Sequence, residues 1–553
     1  MSLLPVSAYP VVAACLLGTI GWLLWFAVRN YITSSPLDKI PGPKPTSLLK
    51  DNMEQLLHRH GWDFVDELGN KYGKVVRLTG QLGSRVLYVW DPLAVHHIFV
   101  KDGDSYDLPE WGIDGNYFTL EKSMVSVHTP AHRRQRKMIN AVFSIKHMRS
   151  VTPLFYGVSH KLRVGLAADV GDTPTTVDIL NWFGRTALEL IGQGGLGYSL
   201  DPLDRPGRTE YGDVLKQFLP LLFLNGHWIQ SVLKYVKYIG TPSFRAAAID
   251  WLPIPELREL KKVVMEMDKE AMKIYEMKKH NLEGGEETMI KQVGEGKDIM
   301  SHMLRANKVA SDEERLEEAE IIGQMSLLVL AGVDTTSNGM TQLMLLLSEY
   351  PEIQDKMRAE IRQAQVQHGE DIPYDILVAL PYMDAVCRES MRLYPPAAFV
   401  YREAQNDTIV PLSEPITGTD GTTVKEIPVP SGTTLVAGIS AINCSKEIWG
   451  EDALEFKPER WLSPLPSTVN DAHIPGVYSN LMTFTGGRRS CIGFKFAQLE
   501  MKVLLTTALS SFKVSLADES KDVVWNLASV RYPTIGKDST LPACPITVER
   551  IRD

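Results

Sequence analysis

The chain has 553 residues, 44% apolar and 23% charged, with a formal net charge of -9; so much apolar material can bury a large core, and the negative balance argues against a general nucleic-acid binder. Five scattered cysteines (Cys15, Cys387, Cys444, Cys491 and Cys544) exclude a disulfide framework and leave no pair at zinc-site spacing, which suits a reducing compartment.

Met1 to Val28 contains no charged side chain, and residues 9–28, YPVVAACLLGTIGWLLWFAV, are long enough to span a bilayer as a helix. Arg29, Lys39 and Lys44 follow, so an uncleaved anchor over residues 1–29 is expected with the remainder of the chain in the cytosol. A cleaved secretory signal is the competing reading, but the run has no basic n-region and no small-x-small site after it. Residues 30–46 contain IPGPKP and read as a proline-rich hinge, extended because alternating prolines oppose helix.

Residues 47–553 read as one large unit with no internal repeat. KVVRLTG (74–80) and RVLYVWD (85–91) suggest a β-hairpin. From about 130 to 400 the pattern is mainly helical, broken by a polar, Gly-rich loop over 284–298. Ser311 and Glu314 resemble a capping box ahead of a helix that is almost wholly apolar from Ile321 to Leu347. Strand-like pieces return at 400–440 and after 512. The expected fold class is α+β, predominantly helical, with a small β-rich region.

Three stretches carry chemistry. AGVDTT (331–336) places an acid and two threonines inside the apolar helix, which is costly unless they serve something. Gly332 would leave room for a ligand, and a threonine hydroxyl bonded one turn back would open a groove with Asp334 and Thr335 at its edge. ESMR puts Glu389 and Arg392 at i and i+3, a pair that needs further partners if buried; Arg460 in FKPERW is the candidate. FTGGRRSCIG (484–493) sets Cys491 among glycines and arginines, just before an amphipathic helix, where cations, backbone N–H groups and the helix dipole all favour a thiolate. A nucleophilic cysteine, a phosphate loop and a lone thiolate ligand to haem iron compete. The first has no histidine nearby in sequence and the second lacks the glycine-lysine-serine ending, so the third fits best. Haem propionates would then need cations, and Arg489 could supply one.

FTGGRRSCIG resembles the haem-binding loop Phe-x-x-Gly-x-Arg-x-Cys-x-Gly of cytochrome P-450 monooxygenases at every fixed position. AGVDTT, ESMR and FKPERW resemble three further motifs of that family, in its order, and HRRQRKMINAVFS and IPGPKP look most like basidiomycete members. The resemblance, over residues 40 to 545, implies the cytochrome P-450 fold and haem b with Cys491 as axial ligand, whose electron donation favours O–O cleavage. It implies that Phe484 packs by the sulfur, that Gly487 permits the turn, and that Arg489 and Arg402 bind propionates. Asp334 and Thr335 match the proton-delivery pair, and Glu389, Arg392 and Arg460 a structural triad. Where the family has Trp-x-x-x-Arg, this chain has His132 and Arg136; both are kept as propionate contacts. Arg133, Arg134 and Lys137 are expected to face outward, as a solvated face or a docking patch for an acidic flavin domain.

The implied activity is insertion of one oxygen atom from O2 into an apolar substrate. Electrons would come from NADPH through a separate NADPH–cytochrome reductase, with a cytochrome b-type protein as a further donor. The pocket is expected to draw on the 108–128 loop, Leu328 to Thr335, Ala397 to Val400 and VRYPTIG (530–536). The apolar stretch 218–228 is read either as dipping into membrane lipid or as a core helix. A terpenoid or other secondary metabolite is favoured over sterol, fatty acid or xenobiotic; a haem-thiolate isomerase and a non-catalytic haem sensor are the alternatives. The expected location is the endoplasmic reticulum membrane, with the sequons at Asn406 and Asn443 unused.

Overall fold

A computed structural model describes residues 28–45, 51–204, 207–224, 239–284 and 296–552 except 479, together with single positions 21, 25, 226 and 236. The expected anchor over 9–28 lies outside the described residues but for positions 21, 25 and 28, as do 285–295 of the expected loop and 225 and 227–228 of the 218–228 stretch. Among the described residues no helix is long and apolar enough to cross a membrane. Two compact units divide the chain: residues up to Asp107 with Val400–Gly438, and Leu108–Phe399 with Ile439 onward.

The first unit is built on the expected hairpin. Strands β1 (Val75–Thr79) and β2 (Arg85–Val89) pair antiparallel with Val75 opposite Val89. Four further strands, β3 (Tyr106–Asp107), β4 (Phe399–Ala404), β5 (Thr408–Thr417) and β6 (Thr423–Val429), precede β7 (Thr434–Gly438). One sheet has the order β1-β2-β7-β4-β3, and β5 with β6 makes a separate hairpin. Leu87, Tyr88 and Val89 are all buried because β2 lies inside the sheet, between β1 and the parallel β7. Within the hinge, Pro36–Lys39 forms a 3-10 turn capped by Ser35 and Asp38, and the Asp38 carboxylate accepts from Arg85 Nε at 3.0 Å, tying the hinge to β2.

The second unit is helical. Its principal helices are α1 (Glu110–Leu120), α2 (Ala131–Asn140), α3 (Ile145–Val170), α4 (Ile179–Leu190), α5 (Glu210–Leu224), α6 (Pro255–Glu283), α7 (Ile299–Val309), α8 (Glu318–Glu349), α9 (Pro351–His368), α10 (Pro381–Leu393) and α11 (Phe494–Ser511). Helix α8, the expected apolar helix, packs on α4 and α6 and also meets α1, α9, α10 and α11, which is why it is apolar on nearly every side.

Two expectations are corrected here. The 108–128 segment is not simply a loop: α1 occupies 110–120, with apolar residues spread around the helix rather than confined to one stripe, so periodicity does not reveal it. Nor does Ser311 open α8. That helix starts at Glu318, capped by Glu317, whose N–H donates to the Glu320 carboxylate at 2.9 Å. The cause lies upstream, where the Asn307 side chain bonds both the N–H and the carbonyl of Leu316 and folds 311–316 back as a turn.

Gly323 allows α8 to approach the end of α1: a Cβ there would lie 2.8 Å from Ser123 N and 2.9 Å from Leu120 O. Gly323→Ala is therefore expected to destabilise by about 1–3 kcal/mol, read as a lower unfolding midpoint. His147 and His302 meet edge-on at 5.2 Å, and burial with the neighbouring His302 pushes His147 down to about 4. The unfolded chain then binds more protons than the folded one between pH 4 and the ordinary histidine value. Stability should fall as pH drops from about 6.5 to about 4, and His147→Phe should flatten that slope in unfolding curves recorded across the window.

Candidate active site

The site is organised from a buried carboxylate. Glu389 and Arg392, one turn apart on α10, are both fully buried. Arg392 Nε and Nη2 donate to the two Glu389 oxygens at 2.9 and 2.8 Å, and Arg460 Nε reaches Oε1 at 3.4 Å, so the expected three residues do come together. Trp461 Nε1 donates to Oε2 at 2.9 Å and the Lys457 N–H to Oε1 at 3.2 Å. Trp461 follows directly on Arg460, inside the quoted FKPERW, yet a tryptophan there reads as ordinary core.

From this carboxylate a hydrogen-bond chain leads to the cysteine loop. Arg392 Nη1 donates to the carbonyls of Asn443 and Ala453 at 2.9 and 2.6 Å. The Asn443 side chain accepts the Met482 N–H at 2.9 Å and donates to Thr483 Oγ1 at 2.9 Å; Thr483 in turn donates to Met391 O at 2.8 Å. Asn443 is thus a fully buried positioning residue, which no sequon reading could show and which closes it to glycosylation.

Phe484 begins the loop. Its ring packs edge-on to Tyr478 at 5.5 Å and tilted to Phe494 at 6.2 Å, and its carbonyl accepts the Cys491 N–H at 2.9 Å. Gly487 has φ +72°, where a side chain would be strained, and its carbonyl accepts the Ser490 N–H at 3.1 Å. Gly486, missed from sequence although it forms half of the Gly-Gly doublet, is as constrained: a Cβ there would lie 1.5 Å from the carbonyl oxygen of Pro475.

Cys491 lies two residues before the α11 cap, Gly493. It is accessible, yet protein surrounds it closely enough for desolvation to push its thiol up. The Gly493 N–H and the Arg136 charge oppose that push and favour the thiolate. Arg136, on α2, donates to Ser490 O at 2.6 Å and Oγ at 3.0 Å, and burial pulls its own pKa down. Arg489 donates to the carbonyls of Met124 and Val127 at 2.9 and 2.8 Å, while Arg488 reaches Thr129 Oγ1 at 3.1 Å. His132, one turn before Arg136, is buried. Arg402 belongs to the first unit, its guanidinium 4.4 Å from the centre of the Phe99 ring. Among the described residues no cluster of three or more His, Cys, Asp or Glu could hold a metal ion.

Helix α8 presents one uncovered stripe in its buried length, formed by Leu327, Leu328, Ala331 and Thr335. Thr335 Oγ1 donates to Ala331 O at 2.6 Å, the expected bond one turn back. Two details differ from expectation. Gly332 packs on Ile191, 3.1 Å from where its Cβ would be, and so serves helix packing. Asp334, seven residues on from Leu327, falls at the edge of this stripe, but it is buried and paired with Lys216 of α5 at 2.9 Å rather than open to it. On α2, Arg134 does not face freely outward but pairs with buried Glu320 at 2.5 Å, and Lys137 pairs with Glu314, so this face is less positive than its sequence implies. The 530–536 stretch contributes a β-hairpin, Tyr532–Ile535 pairing with Val523–Asn526.

A family profile described as Cytochrome P450 matches residues 40–529. The chain is 47% identical over 532 residues to cytochrome P450 monooxygenase 91 of Postia placenta, covering 96% of this chain and 97% of that one. It is 42% identical to a ganoderic acid synthetase of Ganoderma lucidum, with 96% and 97% covered, and 33% identical to a cytochrome P450 monooxygenase of Hericium erinaceus, with 94% and 95% covered.

Removing Glu389 would leave the fully buried Arg392 guanidinium without a carboxylate, while Arg460 would keep Asp452 at 2.9 Å. Glu389→Ala is expected to cost about 3–5 kcal/mol, measured as a fall in the unfolding midpoint.

Proposed function

The chain belongs to the cytochrome P450 family and is a monooxygenase; from that premise we propose that Cys491 is its axial haem ligand and that its substrate is an apolar terpenoid or related secondary metabolite. The observation that carries the ligand assignment is the accessible Cys491, with the Gly493 N–H and the Arg136 charge both favouring its thiolate. Members of this family use a thiolate-ligated haem, which when bound supplies the activation of O2 with electrons from a reductase.

This chain's residues would then divide the work. Arg136 and Arg489 are cations for the propionates, already steered by the backbone carbonyls they bond. His132 is a further donor, and Arg402 is assigned on motif order alone. Phe484 shields the sulfur and Gly487 shapes the turn that aims backbone N–H groups at it. Glu389, Arg392 and Arg460 hold the fold around the loop rather than touching substrate. On α8, Thr335 carries a hydroxyl that can hold a proton at the uncovered stripe, and Asp334 can replenish it on release from Lys216.

The ganoderic acid synthetase relative supports a secondary-metabolite substrate over sterol, fatty-acid or xenobiotic turnover. An NADPH–cytochrome reductase is the proposed electron donor, with a cytochrome b-type protein as a second. The endoplasmic reticulum membrane is the proposed location, anchored by residues 9–28, on the strength of their composition.

Product analysis of reductase-containing microsomes fed a terpenoid panel tests the substrate reading. Substrate-dependent NADPH consumption with an oxygenated product is expected; oxidation of fatty acids or xenobiotics alone would contradict it. Thr335→Ala should keep consuming NADPH while product per NADPH falls by about tenfold or more. A fully coupled Thr335→Ala enzyme would remove the proton-delivery role.

A further inference from the structure

Along the same side of α8 as Leu327 and Ala331, one to two turns further on, lies a small cavity of about 30 Å³, bordered by Lys216, Asp334 and Asn338 and otherwise by apolar side chains such as Leu219, Ala528 and Val530. Asn338 is 5% exposed. Its Nδ2 donates to Asp334 O at 2.8 Å, which fixes the amide orientation and leaves Oδ1 as a buried acceptor with no protein donor. A buried acceptor of this kind costs roughly 1–3 kcal/mol unless something bonds to it. Lys216 spends one N–H on Asp334, at 2.9 Å, and an ammonium group has three.

We propose that this cavity is a recognition subsite for a hydroxyl group already present on the apolar substrate, which donates to Asn338 Oδ1 and accepts from Lys216 Nζ. The inference rests on the substrate reading above and sharpens it. A ketone could accept from Lys216 but would leave Asn338 Oδ1 unbonded. A carboxylate would do the same and would also meet the Asp334 charge. Only a group that both donates and accepts answers both residues, and the volume admits one, since about 10–15 Å³ of such space already holds a water molecule. The substrate is therefore an alcohol before this enzyme acts, and the reaction that supplies it must install or preserve that hydroxyl. Lys216 and Asn338 are specificity residues, and the hydroxyl end of the molecule is held about one turn of α8 beyond Thr335.

The test is calorimetric binding to the haem-loaded enzyme of a polycyclic terpenoid alcohol and its deoxy analogue of the same skeleton. Wild type should bind the alcohol about 10- to 100-fold more tightly, the range for hydrogen bonds that include a charged partner. Asn338→Leu and Lys216→Met should each bring the alcohol close to the affinity of the deoxy compound without weakening the latter. Both changes are needed, because either could disturb α8 or α5, and a haem spectrum like that of wild type shows which variant is intact. Equal binding of the two compounds by wild type, as when only water occupies the cavity, overturns the proposal. So does no binding of the alcohol, or a preference that survives both changes. An intact thiolate spectrum alongside equal binding would defeat this inference while leaving the haem reading in place.

Discussion

A carboxylate stripped of water must be surrounded by donors, and Glu389 meets that demand in a way that fixes the position of everything around Cys491. Its partners come from α10 itself and from the Lys457–Trp461 stretch, 68 to 72 residues further along the chain. Because Arg392 uses its other donors on Asn443 and Ala453, and Asn443 uses its side chain on Met482 and Thr483, the network ends at the residue before Phe484. A buried ion pair adds little net stability, but misplacing any member is expensive. The consequence is a loop held in one register, in which Gly486 packs against Pro475, Gly487 takes a positive φ and Cys491 stays accessible.

The electrostatics of that loop follow from the same geometry. Desolvation alone would keep the cysteine as a thiol; the Gly493 N–H and the Arg136 charge act against it. Arg136 reaches Cys491 by bonding both the carbonyl and the hydroxyl of Ser490, and Arg489 and Arg488 fasten the same loop to residues 124–129. Helix α8 supplies a division of labour on its own surface. Thr335 lies on the uncovered stripe, Asp334 on the flank held by Lys216, so the acid and the alcohol share a helix turn but not an environment.

Much of this was legible in the sequence because motif residues with strict geometric duties are local. The Cys491 loop, the Glu389–Arg392 spacing and the Thr335 back-bond each lie within a few residues, and the β1–β2 hairpin shows as two strand-like runs joined by Gly-containing turn residues. What escaped depends on distant partners. Asn443 and Trp461 look ordinary until Arg392 and Glu389 are beside them. The cap of α8 was misplaced because Asn307 diverts the chain at Leu316, and Arg134 was read as outward-facing because Glu320 is 186 residues away. The division into two units was hidden because the first is assembled from two separated stretches.

The central claim is that the Cys491 sulfur is the haem ligand, and the most direct measurement is the carbon-monoxide difference spectrum of the reduced protein with Cys491→Ser beside wild type. Wild type should show the absorption characteristic of thiolate ligation, and the variant should lose it, even where it retains haem. A Cys491→Ser spectrum unchanged from wild type would contradict the account.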